Sequence, residues 1–313
     1  MSAGSGEAVD PTDDPDATAA VLAQALPYIQ RFRHRVVVVK YGGNAMTPEA
    51  DAAFAADIVL MHSVGILPVV VHGGGPQISD LMARLGKTPT FVDGLRVTDA
   101  ESLDITRMVL VGKVNRELVA SINRHGPLAV GVSGEDAGTI VASPRDPALG
   151  FVGNVAAVNP ALLRRLLAEG LIPVVATIGV DDGGQAYNIN ADTVAGAIAA
   201  ALEAEKVIFL TDIEGLRRDV ADEASLVSQC SAAELRLLCA DGAVSTGMLP
   251  KVDACLAAVD GGVRSAHLID GRRPHVLLLE LFTDSGIGTM VTRHGPTSAP
   301  AGESRSVPTS VPI

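Results

Sequence analysis

Four consecutive valines run into a lysine and then a glycine pair at Arg35-Val-Val-Val-Val-Lys-Tyr-Gly-Gly-Asn44, and no other stretch restricts the fold as strongly. β-Branched side chains suit a pleat covered on both faces, so the run reads as a buried strand of a parallel sheet. Its end delivers Lys40, Gly42 and Gly43, a point charge plus backbone N–H groups, which can hold a phosphate. The plainer alternative is a tight strand-to-helix turn with a solvated lysine. The pattern then recurs: Ile66-Leu-Pro-Val-Val-Val-His72 leads into Gly73-Gly-Gly-Pro-Gln-Ile78 and a helix from Ile78 to Leu85, ended by Gly86. In a parallel α/β sheet all strand C-terminal ends lie on one edge, where ligands bind. The two glycine-rich loops can therefore face each other across a phosphate, each offering N–H donors and a helix N-terminus. Neither has the Gly-x-Gly-x-x-Gly or Gly-x-x-x-x-Gly-Lys-Ser/Thr spacing, which disfavours a nicotinamide dehydrogenase.

Bulk properties exclude several other classes. With 313 residues, 48% of them hydrophobic, the chain can bury a large core in one domain or two fused lobes. A formal charge of −12 and the absence of tryptophan argue against nucleic acid as the main partner. No apolar run approaches the roughly 18 residues of a membrane span, and no basic segment precedes an apolar one at the N-terminus, so a cytoplasmic location is expected. Cys230, Cys239 and Cys255 are odd in number and not at metal spacing, and read as reduced packing residues. Residues 1–15 and 294–313 have the composition of disordered segments.

The rest of the chain supplies further candidates. Residues 16–32 read as an apolar helix kinked at Pro27, packing either on its own domain or on another subunit. Pro48 to Val64 is a helix closed by Gly65. The turn-rich piece Phe91–Thr98 sets out Arg96, whose planar fork matches a carboxylate; a surface ion pair is the alternative. Residues 99–124 read as one long helix, 128–134 as a strand, 139–158 as a strand or hairpin, 161–169 as a helix and 171–178 as a buried strand. Asn188, Asn190 and Asp192 alternate ahead of a small-residue helix; the alternative for Asp192 is a simple helix cap. A strand from Lys206 delivers Thr211 and Asp212 to the same sheet edge, and Ser231 with Glu234 forms a capping box. Lys251 stands near a helix start, where a cation opposes the dipole unless an anion lies between. Arg264–Ile269 and His275–Phe282 both read as strands.

Six motifs in order carry a resemblance: Lys40-Tyr-Gly-Gly-Asn-Ala-Met46, His72-Gly-Gly-Gly-Pro-Gln77, Asp93-Gly-Leu-Arg-Val-Thr98, Asn188-Ile-Asn-Ala-Asp192, Leu210-Thr-Asp212 and Gly247-Met-Leu-Pro-Lys251. Over residues 16–293 the chain resembles the N-acetyl-L-glutamate kinases of the amino-acid kinase superfamily. The resemblance implies an α/β fold, an αβα sandwich around a mainly parallel eight-stranded sheet. It implies a kinked N-terminal helix over 16–33, an acetylglutamate-binding and dimerising N-lobe over 34–180 and an ATP-binding C-lobe over 181–293. The implied reaction moves the γ-phosphoryl group of MgATP to the side-chain carboxylate of N-acetyl-L-glutamate, a step of arginine biosynthesis. By resemblance, Lys40 and Lys251 stabilise the transferring phosphoryl group and Asp192 holds both. Gly42, Gly43, Gly74 and Gly75 donate N–H groups, Arg96 and Asn188 bind substrate carboxylates beside Asn190, and Thr211 and Asp212 line the nucleotide site. Mg2+ is expected to travel with ATP. Arginine-inhibited members are hexamers linked through such a helix. By that likeness Tyr28, His267, Glu280 and Gly286 match positions that contact L-arginine. One departure is Glu135, where the family pattern leads to a lysine. Another kinase of the superfamily, or a non-catalytic metabolite sensor on the same fold, stays open, although a sensor would be expected to lack one of Lys40, Asp192 and Lys251.

Overall fold

The computed structural model describes residues 15–295 apart from 44, 45, 47, 220, 221, 242, 243, 245–247, 284 and 285. Of the segments expected to be disordered, 1–15 and 294–313, all but Pro15, which begins a helix, His294 and Gly295 lie outside the described residues, as does much of the loop before Lys251.

From the N-terminus, α1 (Pro15–Phe32) leads into β1 (Val36–Tyr41), α2 (Pro48–Ser63), β2 (Leu67–His72) and α3 (Gly75–Arg84). A short hairpin, β3 (Phe91–Val92) with β4 (Leu95–Arg96), precedes α4 (Ala100–Arg107), a π-helical segment (Met108–Val114) and α5 (Asn115–Asn123). Then follow β5 (Ala129–Ser133), β6 (Ile140–Pro144), β7 (Val152–Val158), α6 (Ala161–Ala168), β8 (Ile172–Ala176), β9 (Ile178–Val180) and β10 (Ala186–Ile189). The remainder is α7 (Ala191–Ala201), β11 (Lys206–Thr211), β12 (Gln229–Ser231), α8 (Ala232–Ala240), α9 (Leu249–Asp260), β13 (Ser265–Asp270), α10 (Val276–Phe282) and β14 (Thr289–Thr292).

The valine run is, as its composition requires, an interior strand. It lies between β2 and β11 in an eight-stranded sheet of order β12-β14-β13-β11-β1-β2-β8-β5, parallel throughout except for β13 against β14. Val38 joins a core formed with α6, α7, α8 and α9 on one face. Val37 and Val39 join a second core on the other face, with α1, α2, α3, α4, α5 and α10. Two apolar layers around one sheet make the αβα sandwich, and each fully buried valine is worth about 1.5–3 kcal/mol. A smaller closed arrangement, β10-β7-β6-β9, stands beside the main sheet, and the expected lobe division at 180/181 falls in the turn between β9 and β10. Among the described residues no helix is long and apolar enough to cross a membrane.

Three expectations need correction. His275–Phe282 is a helix, α10, whose buried residues Val276, Leu277 and Leu281 follow helical spacing rather than alternation. Its run Val-Leu-Leu-Leu-Glu-Leu-Phe has one β-branched residue and is short enough for either reading. The long helix over 99–124 is interrupted by the π-helical turn at Met108–Val114, a local widening that apolar periodicity does not signal. The cap of α7 is Asn190, whose Oδ1 accepts from the backbone N–H groups of Asp192 and Thr193, at 2.9 and 3.1 Å. That frees the Asp192 carboxylate for other partners.

Candidate active site

At the C-terminal edge of the sheet the two glycine loops touch. A Cβ on Gly42 would lie 3.0 Å from the Gly73 nitrogen, so any side chain there forces the loops apart. Beside them opens a cavity of about 270 Å³ whose wall includes Lys40, Gly43, Gly74, Gly75, Arg96 and Asp192. Asn188, Asn190 and Lys251 line it as well.

Three side chains carry most of the charge. The Asp192 carboxylate, on the first turn of α7, lies 2.9 Å from the Lys40 ammonium at the end of β1. Its other oxygen accepts a 3.1 Å hydrogen bond from Lys251 on the first turn of α9. Asp192 and Lys40 are both buried. Burial alone would raise the Asp192 pKa, but the charges of Lys40 and Lys251 outweigh it and hold the carboxyl below its usual range. The triple carries a net charge of +1 and faces backbone N–H groups. Such an arrangement can receive an anion, and the dipole conflict at Lys251 is partly met by Asp192.

Arg96 is the second charged feature, and only 7% of it is exposed. One guanidinium nitrogen donates to the Gly75 carbonyl at 3.0 Å and to the Ser79 hydroxyl at 2.8 Å. The cation stacks 4.7 Å from the Phe91 ring centroid across the β3–β4 hairpin. Among the described residues no carboxylate forms an ion pair with it, so the surface-pair alternative does not hold. A buried guanidinium with neutral partners can receive an anionic group. Asn188 reaches the same cavity and makes a long 3.4 Å contact with the Thr98 hydroxyl.

Other sequence-selected residues are placed differently. The Thr211 hydroxyl turns back on its own loop, accepting from the Ile213 N–H at 2.9 Å, so it points at backbone rather than at the lysines. Asn190 reaches the cavity wall, but its side-chain oxygen is occupied as the α7 cap. Gly42 serves the contact between loops, whereas Gly43 borders the cavity. Away from this edge, Glu280 on α10 pairs with Lys206 at 2.9 Å and stands 2.8 Å from His267 Nδ1. Burial opposes ionisation of Glu280, yet His267 and Lys206 hold its carboxyl down to about 2. Glu135 is matched by Arg107 at 2.8 Å. Leu110, Val152 and Thr177 also line the cavity; nothing in their local sequence sets them apart from ordinary core residues.

The sequence model of the amino acid kinase family matches residues 35–270. The chain belongs to that family. The kinase is 55% identical over 285 residues to the acetylglutamate kinase of Symbiobacterium thermophilum, spanning 88% of this chain and 97% of that one. It is 49% identical over 292 residues to the acetylglutamate kinase of Moorella thermoacetica, with 90% and 99% covered. Among solved structures, the kinase resembles N-acetylglutamate synthase from Neisseria gonorrhoeae complexed with coenzyme A and N-acetyl-glutamate, with a TM-score of 0.78 at 29% identity. That match covers 88% of the kinase and 63% of the synthase, so the kinase spans less than two thirds of the synthase chain. Carbamate kinase from Giardia lamblia bound to AMP-PNP shares the fold, with a TM-score of 0.64 at 16% identity over 83% of this chain and 98% of that one.

Proposed function

We propose that this kinase transfers the γ-phosphoryl group of MgATP to the side-chain carboxylate of N-acetyl-L-glutamate, as a cytoplasmic enzyme of arginine biosynthesis. The observation that carries the proposal is the Lys40–Asp192–Lys251 triple sharing one cavity with Arg96, which has no acidic partner among the described residues. One group suits the transferring phosphoryl and the other suits a substrate carboxylate. The names of the 49–55% identical relatives support the same reaction.

A carboxylate nucleophile is ionised at neutral pH, so the reaction needs no general base, and the enzyme contributes positioning and charge neutralisation. In this reading Lys40 and Lys251 neutralise charge that spreads over the phosphoryl oxygens. Asp192 fixes both ammonium groups, one through each of its oxygens. Gly43, Gly74 and Gly75 offer N–H donors, while Arg96 and Asn188 hold the substrate carboxylates. The 34–180 half would present the acetylated substrate and the 181–293 half the nucleotide near Thr211 and Asp212. An ATP-dependent assay comparing N-acetyl-L-glutamate with L-glutamate and L-aspartate tests this. Turnover should be confined to the acetylated substrate, and its absence there would sink the proposal.

We further propose feedback inhibition by L-arginine at Tyr28, His267, Glu280 and Gly286. Lys206 and His267 both meet Glu280 at Oε1, which leaves Oε2 to accept from a guanidinium. A 28% identical N-acetylglutamate synthase structure is complexed with coenzyme A and L-arginine. Exposed Val21, Leu22 and Leu26 on α1 suit burial against a second copy, in keeping with a hexamer. Sedimentation of one preparation with and without arginine, alongside an arginine titration of its activity, checks both ideas. A monomer whose activity is unchanged at roughly millimolar arginine, near the substrate levels enzymes usually meet, would remove them.

A further inference from the structure

His72 ends β2 and is wholly buried immediately before the Gly73–Gly75 loop. Its Nε2 lies 3.1 Å from the side-chain nitrogen of Asn115, which is also wholly buried. That same nitrogen donates to the Val174 carbonyl at 2.8 Å. Only the NH2 end of the amide can face a carbonyl, and NH2 has two hydrogens, so the second points at Nε2 and Nε2 must accept. The imidazole proton is therefore on Nδ1, which stands 3.0 Å from the Gly73 carbonyl and donates to it. Burial, reinforced by the nearby Arg116 charge, pushes the His72 pKa down to about 4, so the ring stays neutral.

The consequence for the loop is geometric. A trans peptide is planar, with its N–H directed opposite to its C=O. Drawing the Gly73 carbonyl onto the buried imidazole turns the Gly74 N–H the other way, and Gly74 borders the cavity. The π-helical turn packs this arrangement from outside. A Cβ on Gly74 would lie 2.8 Å from Leu110 and 3.2 Å from Val114, both in that turn, and Asn115 is the residue that follows it. Such turns occur often at functional sites because they shift side chains that a regular helix would place elsewhere.

We infer that His72 and Asn115 are positioning residues: Asn115 fixes the Nδ1–H tautomer of His72, and His72 sets the orientation of the Gly73–Gly74 peptide that faces the phosphoryl group. The inference rests, for its kinetic part, on the phosphoryl-transfer reading above. The tautomer can be read without substrate, so a failure of one is distinguishable from a failure of the other.

The first measurement is nitrogen NMR of the full chain labelled with 15N-histidine, with the His72 signals assigned by their loss in His72→Gln. A protonated Nδ1 and a bare, accepting Nε2, unchanged between about pH 8 and 6, are expected. A proton on Nε2, or an imidazolium near neutral pH, overturns the inference. The second is kinetic. His72→Gln can keep an accepting oxygen near the Nε2 position but removes the donor to Gly73, and should lower kcat about tenfold or more with KM for ATP changed by less than about threefold. His72→Asn puts an amide nitrogen near the Nδ1 position and should recover part of that loss. Equal losses in two folded variants would show that the ring only fills space. Should neither variant fold, the tautomer measurement on the unaltered protein decides.

Discussion

Asp192→Asn is expected to lower kcat by about 10²–10³-fold and to lower stability by about 3 kcal/mol, the scale for removing one partner from a buried ionic group. The amide is close to the carboxylate in size, so the packing of α7 against α9 survives and the loss is electrostatic. Lys40 and Lys251 then face each other without the anion that now separates them, at 2.9 and 3.1 Å from its oxygens. Steady-state kinetics and thermal unfolding of the variant check both parts, and the pH dependence adds a signed test. The native carboxyl titrates below its ordinary 3.8, because the two lysine charges outweigh burial. A depressed pKa stabilises the fold fully above the unfolded value and progressively less as pH falls through the folded one. The stability gap between the native protein and Asp192→Asn should therefore be constant above about pH 5 and close in acid. A gap independent of pH would mean that the carboxylate's charge is not what holds the site.

Lys40→Arg should cost about 10²-fold or more in kcat while the protein folds normally. Lys40 is a point charge on a flexible stem, 6% exposed, at the end of an interior strand between β2 and β11. A guanidinium keeps the charge but is planar and longer, so its donors cannot occupy the position of the ammonium against Asp192 and the glycine loops. Displacing a charge by about 1 Å is enough for losses of this size. Turnover near that of the native protein would remove Lys40 from the transfer step.

How much of this was legible in the sequence follows from the physics of each element. The β1 and β2 units were readable because valine runs and glycine loops are dense local signals, and six spaced motifs fixed the family. Lys40, Lys251 and Arg96 stand out as candidates because a charge at a strand end or in a glycine-containing loop is conspicuous, and Asp192 because it alternates with Asn188 and Asn190 ahead of a helix. β12 and β14 escaped notice because three and four residues are too few to show alternation. α10 was misread because a short leucine-rich run satisfies both periods. Asn190 and Asp192 were both selected, but which of them caps α7 depends on backbone geometry at the helix start. Asn115 had no signal at all. A polar residue inside a helical stretch reads as solvent-facing, whereas Asn115, directly after the π turn, is buried against His72 at the glycine loop.

The central pairing of β1 with β11 also bears on how the protein comes to exist. During synthesis Val36–Tyr41 emerges early and can pair with β2, but its other edge waits until Lys206–Thr211 has been made. In that interval the most strongly β-forming stretch of the chain offers an open row of N–H and C=O groups, with nothing polar among Val36, Val37, Val38 and Val39 to discourage another chain from adding there. The strand that organises the finished enzyme is thus also, while the chain is half built, an edge open to pairing with another chain.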